Sequence, residues 1–255
     1  MTTFYLGTHM PHWLGQVDVP LFVSHRRLNP RKSLPRASAR WALDSGGFTE
    51  IAMHGQWDTT SDDYVVAVKR YRDEIGLLDW CAPQDWMCEP SMLARTGLTV
   101  GEHQARTVAS YLELREHLGE LVAPVLQGWE PDDYRRCVDL YDQAGVRLDL
   151  LPTVGVGSVC RRNADSAIGA VIRPLANLGL RLHGFGVRGS AYASLHHLLT
   201  SADSMAWSAR GRRDRIAGHP HKSCANCLSY ALAWRDRSLH RAQWAAAQLP
   251  LWEPA

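Results

Sequence analysis

Short apolar or β-branched runs recur eight times along the chain: FYLGT, VPLFVS, RWALD, LLDWCA, VAPVLQ, VRLDLLPTVG, LRLHGFGV and SADSMAW. Runs of this length, bounded by polar and glycine-rich residues, predict strands. Most are followed by a helix-length stretch with apolar residues three and four apart. In residues 63–76 these are Tyr64, Val65, Val68, Tyr71 and Ile75, and residues 100–119, 131–145, 166–179 and 190–200 repeat the pattern. Ser61 or Asp62 can cap the first of these helices, and Pro131 suits a first helical position. Gly76, Gly119, Gly145 and Gly179 can take the left-handed closing conformation. Strand and helix in alternation imply parallel pairing through right-handed crossovers. Eight such units close most naturally into an α/β fold of the (β/α)8 TIM barrel type, with an open doubly wound sheet as the alternative.

The composition is that of a protein with a large core: 45% of the 255 residues are hydrophobic and 21% charged. We expect one barrel-sized domain over residues 1–255. No segment approaches the roughly 18 apolar residues of a membrane span. The opening MTTFYLGTHMPHW lacks the basic start and apolar run of a signal peptide. A cytoplasmic protein without a membrane partner is the expectation. Net charge is only +2, but positive charge gathers in two places. His25, Arg26, Arg27, Arg31, Lys32 and Arg36 form one basic stretch, and Arg210, Arg212, Arg213 and Arg215 form another. Each reads either as a solvated loop or as a phosphate-binding patch.

In such a barrel the chemistry lies at the carboxyl ends of the strands. Those ends here are polar and glycine-rich: Asp44-Ser45-Gly46-Gly47, Gln84-Asp85-Trp86, Gln127-Gly128-Trp129, Gly155-Val156-Gly157-Ser158 and Asp203-Ser204. Each aspartate alone reads equally as a helix cap or loop residue. Together, Asp44, Asp85 and Asp203 would converge on one mouth beside Gln127, among glycines that let backbone approach a flat ligand. Paired carboxylates at a glycosidic carbon have a known use, in which one attacks the sugar and the other moves a proton. A carboxylate with a glutamine amide complements an aminopyrimidinone edge. Trp57, Trp80, Trp86, Trp129 and Trp207 offer aromatic surfaces near these ends, or are core.

Four of the six cysteines are scattered, whereas Cys224 and Cys227 form a CxxC preceded by His219 and His221. Four soft or borderline ligands in nine residues suit structural zinc at 219–227, before the last helix. A CxxC without metal is the alternative reading. His240 is a distant candidate ligand, but thirteen helical residues rise about 20 Å, too far to share one ion with that cluster.

These segments resemble a known superfamily. LDSGGFTEI is similar to the DSGGF segment of tRNA-guanine transglycosylases, APQDW to their base-binding aspartate segment, and VLQGW to their VQGG segment. PTVGVGS and HGFGVRG are similar to their glycine-rich strand ends, in the same order along the chain. FYLGTHMPHWL, VPLFVSHRRL, ADSMAWSARGRR and HPHKSCANCLSYALAWR, taken with LDSGGFTEI, resemble the DpdA family, transglycosylase relatives that place 7-deazaguanine derivatives into DNA. The resemblance implies a pentosyltransferase that exchanges guanine in DNA for a derivative such as 7-cyano-7-deazaguanine. It implies Asp44 as general acid/base. Asp85 and Gln127 would hold the heterocycle, with Ser45, Gly46, Gly47, Gly155 and Gly157 around it. The tRNA enzymes carry their nucleophile in a motif reading Asp-x-x-Asp-Cys, where this chain has Asp203-Ser204-Met205-Ala206-Trp207. Asp203 is the remaining carboxylate and takes the attack on C1′. Implied partners are DNA through the second arginine group, the deazaguanine base, other DNA-modification proteins and further copies of the chain. No redox or nucleotide cofactor is required. Exchange in tRNA, hydrolysis of a deazapurine nucleoside, and a non-catalytic zinc-containing nucleic-acid-binding protein are the competing readings.

Overall fold

The computed structural model describes residues 2–160, 162, 164–187, 189–214, 216 and 218–247. Its eight strands are β1 (Thr3–Thr8), β2 (Leu21–Ser24), β3 (Trp41–Asp44), β4 (Leu78–Cys81), β5 (Val125–Leu126), β6 (Val154–Val156), β7 (Leu182–Gly184) and β8 (Ser201–Ser204). They form one sheet in the order β4-β3-β2-β1-β8-β7-β6-β5. Every ladder is parallel. The remaining seam, between β4 and β5, is spanned by an isolated parallel bridge from Cys81 to Val122, with Ala123 N–H donating to the Cys81 carbonyl at 3.0 Å. This is the (β/α)8 arrangement that the alternation predicts, and the open doubly wound alternative is set aside.

The helices are α1 (His25–Leu28), α2 (Gly47–His54), α3 (Ser61–Glu74), α4 (Pro90–Thr96), α5 (Val100–Leu118), α6 (Pro131–Gln143), α7 (Asp165–Asn177), α8 (Gly189–Leu195), α9 (Ala206–Gly211) and α10 (Leu228–Ala247). Successive strand residues face opposite sides, and β1 shows the result. Phe4 and Leu6 join the large core beneath the helices, while Tyr5 points inward to Phe22, Ala42, Trp80, Ala82 and Ala123. Large rings alternate with alanines there, filling an eight-stranded interior. The buried His183 stands among those rings, 4.7 Å from Trp80 and 5.5 Å from Phe22.

The helix faces cover the outside with buried tyrosines whose hydroxyls reach strand-end carbonyls. Tyr64 donates to Ala82 O at 2.7 Å, Tyr134 to Gly157 O at 2.8 Å and Tyr141 to Val125 O at 3.1 Å. An aromatic body buried under a helix and a polar tip on a backbone carbonyl tie α3 to the end of β4, and α6 to β5 and to the end of β6. The site loops are thereby held from below.

Boundaries differ from expectation in three places. Thr60 caps α3, accepting from Asp63 N–H at 3.1 Å, so Ser61 is the first helical residue and Asp62 follows it. VRLDLL forms a 3-10 turn at Leu148–Leu150, where exposed Arg147 and Asp149 pair at 2.7 Å, leaving only Val154–Val156 as strand. The helix expected over 190–200 ends at Leu195 and continues as a 3-10 turn. No described helix is long and apolar enough to cross a membrane.

Candidate active site and metal cluster

A cavity of about 500 Å³ opens at the carboxyl ends of the strands. Asp44 enters it as the last residue of β3, Asp203 from β8, Asp85 from the loop after β4 and Gln127 from directly after β5. Gly157 and Ser158 follow β6, and Phe185 and Gly186 follow β7. The topology therefore brings three sequence-distant carboxylates to one wall.

Asp85 is the centre of a buried network. It accepts from Ser45 Oγ at 3.0 Å and from Gln127 Nε2 at 2.6 Å. Gln127 Oε1 lies 2.8 Å from Ser158 Oγ, which also meets Glu89 Oε2 at 2.9 Å and accepts from Cys88 N–H at 2.8 Å. Gln104 fixes the strand end by donating to the Gln127 carbonyl at 2.7 Å. Burial, reinforced by the charge of Asp44, pushes the Asp85 carboxyl up to about 7 against the opposing hydrogen bonds from Ser45 and Gln127. Burial also raises Asp44 above the ordinary carboxylate range, and the neighbouring Asp203 charge adds to this, while hydrogen bonds from Ser24 and the Gly46 backbone oppose it. Asp203 accepts from Gly186 N–H at 2.8 Å, and His183 Nε2 approaches the same oxygen at 3.4 Å. His183 is oriented in turn by Ser201 Oγ, 2.9 Å from its Nδ1.

Of the residues expected here, Asp44, Ser45, Gly47, Asp85, Gln127, Gly157 and Asp203 all line the cavity. Gly46 and Gly155 do not. Gly46 turns the chain at φ 84°, with Arg26 packed against it. Gly155 lies a layer deeper, where a Cβ would come within 2.5 Å of the Phe185 ring. Gly157 instead makes room for Gln127: a Cβ there would stand 2.3 Å from Nε2.

The predicted tryptophan surfaces are elsewhere. Trp80 fills the barrel, Trp86 lies under Arg106, Trp129 under Arg162, and Trp207 donates to Gly7 O. Trp57 stands behind the wall, donating to Asp85 O at 3.2 Å. The rings lining the cavity are His9, Phe22, Phe48 and Phe185. Sequence reasoning quoted Ser158 among the strand ends without giving it a role, and passed over Glu89 and His183. Ser158 has a signal only in the structure, a φ of 54° that serine rarely adopts. Glu89 precedes Pro90 and reads from sequence as a helix start.

His219, His221, Cys224 and Cys227 form a second cluster with all four ligand atoms within 4.8 Å of one another. His219 Nδ1 is 3.3 Å from His221 Nε2 and 3.4 Å from Cys227 Sγ, and Cys224 Sγ is 3.4 Å from His221 Nε2. Ile216 N–H points at Cys224 Sγ at 3.4 Å. No disulfide forms among the six cysteines. The donor set and spacing fit a metal ion. His240 is exposed on α10 and is not part of the group.

The cluster is joined to the cavity wall. His9 lines the cavity, stacks on Trp207 at 5.8 Å and meets Asn226, between the two cysteines, at 2.7 Å. Ser208 of α9 donates to Ala225 O, and Cys224 N–H to Gly211 O. A second group, Glu50, His54 and Asp58, also brings three ligand atoms together, but Glu50 is paired with Arg26. Of the basic groups, Arg212 and Arg213 are exposed and Arg210 pairs with Asp214 at 2.8 Å, while Arg215 lies outside the described residues. In the first group, His25 is buried and Arg36 donates to the carbonyls of Asp73 and Glu74 that end α3, so neither is free for phosphate.

No curated protein matches the chain by sequence. Among solved structures it is similar to xylanase B from Clostridium stercorarium F9, at 11% identity and a TM-score of 0.47, over 87% of this chain and 90% of that one. Residues 1–253 match DpdA, DeoxyPurine in DNA protein A, and the chain belongs to that family.

Proposed function

We propose that this chain is a pentosyltransferase that exchanges guanine in DNA for a 7-deazaguanine derivative, such as 7-cyano-7-deazaguanine, through a covalent aspartyl-sugar intermediate. Family membership supports a role in DNA deazapurine modification. The observation that carries the finer reading is the pair Asp44 and Asp203 in one cavity, beside an Asp85–Gln127 edge.

The division of labour follows from the environments. Asp203 takes a hydrogen bond from Gly186 N–H and the approach of His183, which hold one oxygen and leave the other for attack. That oxygen bonds to C1′ as the C1′–N9 bond breaks. Asp44, whose raised pKa favours the acid, gives its proton to the departing guanine. As a carboxylate it then takes a proton from the incoming deazaguanine, whose nitrogen attacks C1′ and releases Asp203. Asp85 accepts from the N–H groups of the base, Gln127 donates to its carbonyl, and Phe48 and Phe185 bound the flat faces. The Ala206 position, where the tRNA enzymes carry a carboxylate, begins α9 outside the cavity lining, so Asp203 has no competitor on β8.

The target base must leave the duplex to reach this depth. Arg212 and Arg213, exposed just beyond α9, are placed to hold the backbone meanwhile. The metal is zinc in this reading. Tetrahedral zinc with nitrogen and sulfur ligands separates neighbouring donors by about 3.3–3.8 Å, and four contacts between these donors measure 3.3–3.8 Å. Four protein ligands close the site, which makes it a staple for α9 and the His9 wall rather than a reaction centre. We place the protein in the cytoplasm, acting on DNA as a single domain.

Labelled guanine tests the reading directly. Incubated with duplex DNA and the protein, it should enter the DNA with wild type and fail to enter with Asp44→Asn or Asp203→Asn. Equal incorporation by wild type and both variants would refute the assignment.

A further inference from the structure

The basic stretch after β2 takes no part in the exchange chemistry, yet it is firmly held at the site. His25 and Leu28 of α1 are buried. The His25 ring packs on Tyr64 and Tyr71, with Nδ1 3.1 Å from the Tyr71 hydroxyl. Arg31 N–H donates to Leu28 O at 3.0 Å, and Arg70 of α3 donates to Lys32 O at 3.0 Å. These anchors fix the backbone that carries Arg26 and Arg27, both of which line the cavity. The two arginines differ in their surroundings. Arg26 packs its stem against Gly46 and pairs with Glu50, so its charge is compensated. Arg27 is exposed and has no hydrogen-bond or ion-pair partner among the described residues.

The order of strands around the rim says what Arg27 faces. Asp44 on β3 and Asp203 on β8 divide the ring of strands into two arcs. One arc runs from β4 across the seam to β7 and carries Asp85, Gln127, Gly157 and Phe185, the edge and face proposed for the base. The other consists of the ends of β1 and β2. A C1′ between Asp44 and Asp203, with its base on the first arc, has the rest of its sugar and its flanking phosphates over the second. On that second arc His9 is engaged with Asn226 and Trp207, and Arg26 with Glu50. Arg27 is the cation there without a counter-charge.

We infer that the β1–β2 arc seats the sugar-phosphate of the target nucleotide and that Arg27 binds one of its two flanking phosphates. The inference rests on the proposed placement of the base and of C1′. A guanidinium offers parallel N–H donors to two phosphate oxygens. Such a contact fixes the position of the nucleotide without reading its base. Arg31 and Lys32, exposed on the same anchored segment, extend the positive edge beyond β2, while Arg212 and Arg213 lie on the chain that leaves β8. The two basic groups thus flank β1, and the extruded nucleotide enters between them. A free nucleoside has no phosphate for Arg27, so this contact favours a nucleotide within a chain.

The probe is a duplex of A·T pairs with a single G·C pair, in which the phosphate on the 5′ or the 3′ side of the guanine is replaced by an uncharged methylphosphonate. Exchange of labelled guanine and anisotropy of the end-labelled duplex are measured for wild type, Arg27→Gln and Arg27→Lys. Lys69→Gln, on the exposed side of α3, is the control. Wild type should lose about tenfold or more in kcat/KM at one of the two methylphosphonate positions. Arg27→Gln should show a similar loss on the unmodified duplex and no further loss at that position, whereas Arg27→Lys should keep the sensitivity. The slope of log K against log salt should fall by about 1 in Arg27→Gln and stay unchanged in Lys69→Gln. Methylphosphonate losses that are equal in wild type and Arg27→Gln, or absent from wild type, overturn the inference and leave the exchange reading intact. Wild type that binds the duplex without exchanging guanine overturns the exchange reading, and the same comparison made on affinity then decides the role of Arg27. Wild type that does not bind the duplex overturns both.

Discussion

Gly157→Ala probes the Asp85–Gln127 edge without removing any polar group. The new Cβ would stand 2.3 Å from Gln127 Nε2, 2.6 Å from Cδ and 2.7 Å from Oε1. The amide has nowhere to go at low cost. Its two ends are held by Asp85 at 2.6 Å and Ser158 at 2.8 Å, and its backbone carbonyl by Gln104 at 2.7 Å. Either the strand end shifts, an overpacking cost of about 1–3 kcal/mol, or buried hydrogen bonds break at about 1–3 kcal/mol for each group left unsatisfied. We expect a loss of about 3 kcal/mol, which in a chain of this size lowers Tm by about 6 °C. Scanning calorimetry reads this, and titration with 7-cyano-7-deazaguanine should show at least a tenfold (~1.4 kcal/mol) loss of affinity. Gly101→Ala, where a Cβ meets nothing within 4 Å, is the matched control and should stay within about 1 kcal/mol of wild type. A Gly157→Ala protein that melts within about 2 °C of wild type and binds the base equally well would refute the close packing on which the site depends.

Three further outcomes follow from the same structure. Because the folded-state pKa of Asp85 is raised to about 7, its neutral form stabilises the fold at low pH, and that contribution is lost as pH rises from about 4 to about 7. Asp85→Asn should therefore gain on wild type by up to about 4 kcal/mol across that window in urea unfolding. Buried His25, lowered to about 4, contributes the opposite slope, and this cancels in the difference. Cys224→Ser should lose bound metal and melt at lower temperature, and strong chelation of wild type should reproduce both effects; equal metal content in variant and wild type would contradict the four-ligand cluster. Replacing Arg212 and Arg213 together with alanine should weaken DNA binding across all sequences and reduce the slope of log K against log salt by about 2, read by fluorescence anisotropy. An unchanged slope would place the DNA on another face.

The fold was legible because its signals are local and repeated: eight apolar runs, helices with three- and four-residue spacing, and left-handed glycines such as Gly76, Gly145 and Gly179. Topology then carried Asp44, Asp85, Gln127 and Asp203 to one mouth without further information. What escaped was set by tertiary contact. Gly155 and Gly157 look alike in PTVGVGS, yet one accommodates Phe185 below the cavity and the other Gln127 at its wall. Ser158 and Glu89 are ordinary loop residues until folding brings them, 69 positions apart, within 2.9 Å. His183 lies inside an apolar strand run, and only the pleat turns it toward Asp203. The cap at Thr60 was missed because three adjacent residues, Thr60, Ser61 and Asp62, offer side chains that can cap equally well.

The central claim is base exchange in DNA, and one experiment bears on it most directly. The protein is incubated with 7-cyano-7-deazaguanine and either duplex DNA or unmodified tRNA, and the nucleic acid is digested to nucleosides for mass spectrometry. The account predicts a deazaguanine deoxynucleoside from DNA with wild type, none with Asp44→Asn, and no modified nucleoside from tRNA. Product from tRNA alone, or a DNA product that persists in Asp44→Asn, would contradict it.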